Sequence, residues 1–210
     1  DGRKLVYFRN AGDERDGLYV QDAEGGTAQR IFKREASNVD YVNAAWLHDG
    51  SALLLARRVN GAGRLALLRL GGAEGDTTRL TNLLPGDGHS DQPRINADGR
   101  LVAFTGDETG EVLGYVAEIR PGGKLGRPVA VRTSVGSPPR WAADGRTLYI
   151  EDSRHRLMRA DVALTPELPT PLITGAVVSP CGGATPSAMI VNVSIVSPAM
   201  FLNSPRAFRG

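Results

Sequence analysis

A chain of 210 residues with 41% hydrophobic content carries enough apolar side chain for a true core, which excludes disorder as its main state and leaves room for one all-β domain or two small ones. Aromatic residues make up only 6%, against 26 glycines and 13 prolines, a balance that favours short strands and tight turns over long helices. With 25 basic and 23 acidic residues the net charge is +2, so the broad basic field that nucleic-acid binding needs is absent.

Along the chain one unit recurs. Asp-Gly stands at Asp1-Gly2, Asp49-Gly50, Asp98-Gly99 and Asp144-Gly145, at intervals of 48, 49 and 46 residues. Each pair is followed by a β-rich run: Leu5-Val6-Tyr7-Phe8, Leu53-Leu54-Leu55, Leu101-Val102-Ala103-Phe104 and Leu148-Tyr149-Ile150. The last three pairs are preceded by short segments, Asn43 to Leu47, Pro93 to Asn96 and Pro139 to Ala142, that suit a strand entering a hairpin. Asp-Gly predicts that hairpin to turn on a primed two-residue loop, because both residues tolerate positive φ.

Each unit then adds a second apolar run, a Gly-rich or Pro-rich turn and a last strand. The first gives Gly17 to Val20 and Ala28 to Ile31, and the second Leu65 to Leu68 and Thr78 to Thr81. The third gives Leu113 to Val116 and Arg127 to Val131, and the fourth Arg156 to Arg159 and a Pro-rich stretch ending at Ile173. The expectation is an all-β chain of four repeats, about 1–40, 41–91, 92–138 and 139–173, each a four-stranded sheet. A sheet that is apolar on both faces cannot bury them alone, whereas like sheets packed around an axis can, so the predicted architecture is a β-propeller. No segment sustains the 3.6-residue period of a helix-containing solenoid.

At the turns the residues resemble the TolB-like propeller repeat, whose pattern runs Pro-x-Trp-Ser-Pro-Asp-Gly-(Lys/Arg)-x-(Leu/Ile)-(Ala/Val)-(Phe/Tyr). Pro139-Arg140-Trp141-Ala142-Ala143-Asp144-Gly145-Arg146-Thr147-Leu148-Tyr149 follows it closely, and Leu18-Tyr19-Val20-Gln21-Asp22-Ala23-Glu24-Gly25-Gly26 is similar to the strand-and-turn that completes it. Asp91 to Phe104 matches again, with Ile95 in the aromatic place. The Ser-Pro before Asp-Gly is replaced by Leu47-His48, Ala97 after Asn96, and Ala142-Ala143, so the copies are divergent. The resemblance covers 1–173 and implies part of a six-bladed ring, or a truncated one, with the innermost strand of the first blade lacking. From Leu164 onward only Glu167, Arg206 and Arg209 are charged and seven prolines occur, and Val178 to Gly183 resembles a fifth turn with Cys181 in the Asp place. Residues 174–210 are expected to be a degenerate fifth blade or an atypical tail.

The same resemblance implies a non-catalytic scaffold that binds another protein or peptide, in the periplasm or another extracytoplasmic setting. Its alternatives are the gating propeller of a larger serine peptidase and the sensor domain of a membrane kinase. No Gly-x-Ser-x-Gly nucleophile elbow occurs, which argues against peptidase activity in the chain itself, and no cofactor is expected. The apolar stretch from Ala188 to Leu202 is broken by Asn192, Ser194, Ser197 and Pro198 and is too short for a membrane span. The lone Cys181 can form no internal disulfide, and His48, His89 and His155 are too scattered for a metal site.

Asp87-Gly88-His89-Ser90-Asp91 places two carboxylates in a Gly-containing loop, an arrangement open to Ca²⁺ but lacking the further acidic ligand downstream. A plain inter-blade turn is the simpler reading. Asp107, Glu108 and Glu111 are read as a solvated acidic tip, and Trp46 and Trp141 as packing residues. Asp49, Gly50, Asp98, Gly99, Asp144 and Gly145 are turn formers. Arg94 and Arg140 occupy equivalent repeat positions at the channel mouth, and with His89 and Asp91 they form the expected partner-binding set.

Overall fold

In the computed structural model, described over residues 2–107, 110–134, 137–153, 157–165, 168–174 and 194–195, the chain is a row of four antiparallel sheets, each a meander in chain order. Sheet one is β1 (Lys4–Arg9), β2 (Gly17–Asp22) and β3 (Gln29–Lys33). Sheet two is β4 (Val39–Trp46), β5 (Ala52–Val59), β6 (Ala62–Arg69) and β7 (Leu80–Asn82). Sheet three is β8 (Ser90–Ile95), β9 (Leu101–Gly106), β10 (Leu113–Glu118) and β11 (Val129–Ser134). Sheet four is β12 (Arg140–Trp141), β13 (Thr147–Glu151), β14 (Leu157–Thr165) and β15 (Leu168–Thr174), with β16 (Ser194–Ile195) pairing β14. His155, Glu108 and the Cys181 turn lie outside the described residues.

The uninterrupted apolar runs follow from burial on two sides. In a strand, successive side chains point to opposite faces. Accordingly Leu53, Leu55, Ala66 and Leu68 of sheet two, with Tyr41 of β4, pack against Leu18 and Phe32 of sheet one, while Ala52, Leu54, Leu65 and Leu67 pack against Val102, Phe104 and Tyr115 of sheet three. Sheet three repeats the arrangement, sending Leu101, Ala103 and Val116 to Leu148, Ile150, Ala160 and Val162 of sheet four. The two central sheets are therefore covered on both faces. In β14 the residues alternate instead, with Ala160 and Val162 buried and Arg159 and Asp161 exposed. Along β1, Val6 and Phe8 join the core, while Leu5 (53% exposed) and Tyr7 (40% exposed) face outward, and among the described residues β1 has only β2 as a partner.

The Asp-Gly turns differ from the primed loop expected. The Leu47 amide pairs with the Ala52 carbonyl at 2.9 Å, enclosing four residues, and the Gly50 amide closes an inner turn onto the Leu47 carbonyl at 2.9 Å. Asn96 with Leu101 and Ala142 with Thr147 repeat this pattern. Positive φ occurs at Gly50, Gly99 and Gly145 but at none of the aspartates before them. Each Asp stays in ordinary backbone space and uses its carboxylate as an acceptor: Asp49 for the Ser51 amide (2.9 Å), Asp98 for Arg100 (3.0 Å), and Asp144 for Arg146 and Thr147 (both 2.8 Å). Such side-chain caps explain Asp at these sites as well as a primed turn would. Gly99 has a second reason to lack a side chain, since a Cβ there would lie 2.5 Å from Cβ of His48 in the preceding turn.

The last strand of the second repeat is shorter than the sequence suggests. The expected strand Thr78 to Thr81 begins as a turn of 3₁₀ helix, Thr77–Arg79, capped by Asp76, and only Leu80–Asn82 is extended. The cause is Arg79. Its buried guanidinium donates to the carbonyls of Arg69 (3.0 Å), Ala73 (2.6 Å) and Ile31 (3.2 Å) and lies over the Phe32 ring, stapling sheets one and two from the outside. Among the described residues no helix is long and apolar enough to cross a membrane.

Phe104 is fully buried and stacks on Tyr115 with ring centroids 5.4 Å apart. Phe104→Ala is expected to lower the unfolding free energy by about 3–5 kcal/mol, read by urea denaturation; a loss under about 1 kcal/mol would contradict the packing described. The Asp144 carboxyl is pushed down to about 2 by the amides of Thr147 and Arg146 and the Thr147 hydroxyl. A depressed folded-state value means that its stabilisation is present above the ordinary value near 3.8 and is lost as pH falls toward 2. The melting temperature of Asp144→Asn should therefore lie below wild type at neutral pH and converge with it across that window; a gap independent of pH would exclude the carboxylate as the cause.

Candidate functional site

The innermost strands carry the features that a plain β-strand does not explain. Asn43 in β4 and Gln92 in β8 have φ of 55° and 56°, and the pairing registers jump there, from Val42 to Ala45 and from Asp91 to Arg94. Each stands six residues before an Asp-Gly pair. These are β-bulges, in which the extra residue bends the strand and re-aims its neighbours. In the fourth repeat Pro138 holds that place, followed by Pro139, and the innermost strand shrinks to Arg140–Trp141.

The bulges bring Arg94 toward the inner edge of β4, where its two terminal nitrogens lie 3.4 and 3.3 Å from Oδ1 of Asn43 and one also donates to the Pro93 carbonyl at 2.9 Å. Trp141 Nε1 donates to the Arg94 carbonyl at 2.8 Å, tying β12 to β8. The half-buried Arg94 guanidinium has its pKa held below the ordinary arginine value, first by burial and then by the like charge of Arg140; Asp91 pulls the other way. In front of β4 and β8 lies an open groove of about 680 Å³ with Asn43, Ala45, Trp46, Arg94, Ile95 and Ala97 on its walls. Arg94 is the one arginine on its walls, which also carry His48.

His89 and Asp91 belong to a different place. Asp91 is buried at the start of β8, in the strand rather than in a loop, and its Oδ2 takes Nε of Arg58 at 2.7 Å and a terminal nitrogen at 2.6 Å. Its Oδ1 accepts the Gln92 amide at 2.6 Å. His89 Nδ1 accepts the Gly63 amide at 3.0 Å, which places the proton of the neutral ring on Nε2, 3.9 Å from Asp91. The His89 amide donates to Asp107 at 2.6 Å, so Asp107 caps this strand entry rather than forming a solvated tip. The close approach requires Gly63, where a Cβ would sit 2.9 Å from the Asp91 carboxylate.

The expected partner set thus divides, with Arg94 at the groove, Arg140 exposed on β12, and His89 and Asp91 in the joint between sheets two and three. Asp87 is exposed and faces Arg64 at 3.3 Å, so the two carboxylates considered for Ca²⁺ are engaged by different arginines. Among the described residues no group of three or more metal-ligating side chains converges. Arg58 and Asn43 were missed from the sequence. Arg58 pairs with an acid 33 residues away, a separation that no local pattern encodes. A side-chain amide six residues before Asp-Gly in two successive repeats was the available signal for the bulges.

The fold is shared with β-propeller proteins. A TolB from Acinetobacter baumannii is similar with TM-score 0.55 and 20% identity, over 82% of this chain and 41% of that one. A putative TolB from Agrobacterium tumefaciens is similar with TM-score 0.58 and 17% identity, over 77% of this chain and 58% of that one. A puromycin hydrolase, whose structure is an S511A mutant complexed with PGG, is similar with TM-score 0.61 and 18% identity, over 75% of this chain and 27% of that one. The chain spans well under two thirds of each of these proteins. No family model matches it, and neither does any curated protein.

Removing the Asp91 charge leaves the Arg58 guanidinium without its carboxylate. Asp91→Asn should cost about 1–3 kcal/mol of unfolding free energy, nearer the lower end because the Arg58 side chain is 34% exposed and screened by water. A double-mutant cycle with Arg58→Gln by chemical denaturation checks it, and additive losses would mean that the pair is not coupled.

Proposed function

We propose that the chain is a non-catalytic β-propeller scaffold that binds another protein or peptide in the groove along β4 and β8. The observation that carries this reading is the groove itself, a strand-walled cleft with Arg94 on its wall. Inner strand edges offer backbone donors and acceptors to an extended segment, in the manner of β-strand addition. No residue set at the groove has the nucleophile, base and orienting partner that acyl transfer requires. The TolB-like fold supports an extracytoplasmic role of this kind by analogy only.

A second reading makes the chain the non-catalytic propeller of a larger serine peptidase. Its support is the likeness to puromycin-hydrolyzing peptidases, of which this chain spans 27% and 32%. A Gly-x-Ser-x-Gly domain in the same polypeptide would favour it.

Dodecapeptides selected on the protein from a random library are expected to lose binding when the groove is filled by Ala45→Trp and to keep it when the outer-surface Lys124 is changed to Trp. Fluorescence anisotropy measures this. Equal binding to both variants would place the site elsewhere and remove the basis of the proposal.

A further inference from the structure

Sheets two, three and four each open on an inner strand ahead of an Asp-Gly turn, whereas β1 follows such a pair and so holds the place of β5, β9 and β13. Three sheets therefore show what a strand on this edge does. The residue across from the fourth position after each Asp is large and apolar: Trp46 pairs with Leu53, Ile95 with Val102 and Trp141 with Leu148. In sheet one that position is Leu5. The next residue closes the pairing, the amides of Leu47, Asn96 and Ala142 reaching the carbonyls of Ala52, Leu101 and Thr147 at 2.8 to 3.0 Å. The matching carbonyl in sheet one is that of Lys4.

The edge of β1 is set to receive the same bonds. The Ala23 amide donates to the Arg3 carbonyl at 2.8 Å, and neighbouring residues of a strand aim their backbone groups at opposite edges, so Lys4, Val6 and Phe8 turn theirs to the edge that β2 does not cover. Sheet two supplies a further donor. Trp141 Nε1 bonds the carbonyl of Arg94, the residue before Ile95, so the indole of one sheet ties down the inner strand of the sheet before it. Trp46 holds the same repeat position, packs half-buried against the core shared with sheet one and borders a cleft with Lys4, yet among the described residues its N–H has no acceptor. Next to this edge Leu5 and Tyr7 are exposed, and Tyr7 stacks on Tyr19 with ring centroids 5.7 Å apart. Residues paired across strands share a face, so a large side chain opposite Leu5 would extend this apolar surface.

We infer that the β1 edge is a second docking site, apart from the groove along β4 and β8, and that it takes an extended segment of a partner protein added antiparallel to β1. The segment has the chemistry of β4 and β12: Trp or Ile across from Leu5, the carbonyl of the residue before it accepting the Trp46 indole, and the amide of the residue after it donating to Lys4. From Lys4 to Phe8 the edge runs roughly 13 Å at about 3.3 Å per residue, a row of backbone groups that an extended chain matches and a compact ligand does not.

The test adds an unlabelled, acetylated and amidated peptide, Val-Asp-Tyr-Val-Asn-Ala-Ala-Trp-Leu, the sequence of residues 39–47, to ¹⁵N-labelled protein, whose two tryptophans give two indole signals. Binding should move the Trp46 indole signal, leave that of Trp141 in place, and slow hydrogen exchange at the Val6 and Phe8 amides. A methyl on the peptide's Leu amide, which is the donor to Lys4, should weaken binding at least about ten-fold, whereas a methyl on the adjacent Trp amide, which faces away, should change it less than about two-fold. Trp46→Phe, which keeps an aromatic ring and removes the N–H, should weaken binding by about three- to ten-fold. Equal effects of the two methyl groups would refute strand addition at this edge. Loss of binding on Ala45→Trp would put the peptide in the groove and overturn the second site while leaving the groove reading intact. Slow exchange of Val6 and Phe8 before any peptide is added would mean that the protein covers this edge itself, and no binding at about 1 mM peptide would likewise overturn the inference.

Discussion

Two-sided burial is the constraint on which the rest of the structure depends. A four-stranded sheet whose strands read Leu53-Leu54-Leu55 or Leu101-Val102-Ala103-Phe104 has no wet face, so it is stable only between two neighbours. Fully burying one Leu or Phe side chain is worth about 1.5–3 kcal/mol, and the interfaces between the sheets are built from such residues. Everything else serves the spacing between sheets. The Arg79 staple, the Asn96 amide bonded to the Gly145 carbonyl at 2.8 Å and the Trp141 bond to Arg94 all cross from one repeat to the next.

The same packing locates the groove. The bulges at Asn43 and Gln92 interrupt the ladders of the innermost strands β4 and β8, and the groove lies in front of them. A bulge costs regular pairing at one residue and yields a side chain aimed along the sheet edge instead of into a face. Arg94 uses that aim. Its counterpart Ala45 in the preceding repeat holds the same position with a methyl group, which gives the groove an apolar wall on one side and a cation on the other.

The sheets were readable because their signals are local and repeated. The four apolar runs are strands, and Asp49-Gly50, Asp98-Gly99 and Asp144-Gly145 turn the chain between the first two strands of a sheet. The turn type was misread because Asp-Gly fits two geometries, and the choice depends on loop length, which the flanking residues Leu47 to Ala52 leave open until their pairing is seen. Thr78 to Thr81 was read as strand because Thr and Leu favour extended backbone, yet the cap at Asp76 and the buried demands of Arg79 prevail. At the site, Arg94 and Arg140 were legible as equivalent positions, whereas the engagement of Asp91 by Arg58 was not, since partners 33 residues apart are joined only by the packing of sheet two on sheet three.

The two ends of the row are unlike. The far face of the fourth sheet presents Arg159 and Asp161, bonded to each other at 3.0 Å, as a hydrated charged surface, whereas the far face of the first presents Leu5 and Tyr7 beside the unpaired edge of β1. Head-to-tail stacking would press an apolar surface against a charged one and strip water from ions without replacing it. A neighbour that covers the first face takes apolar surface out of water, whereas one that covers the fourth must bring partners for its ions.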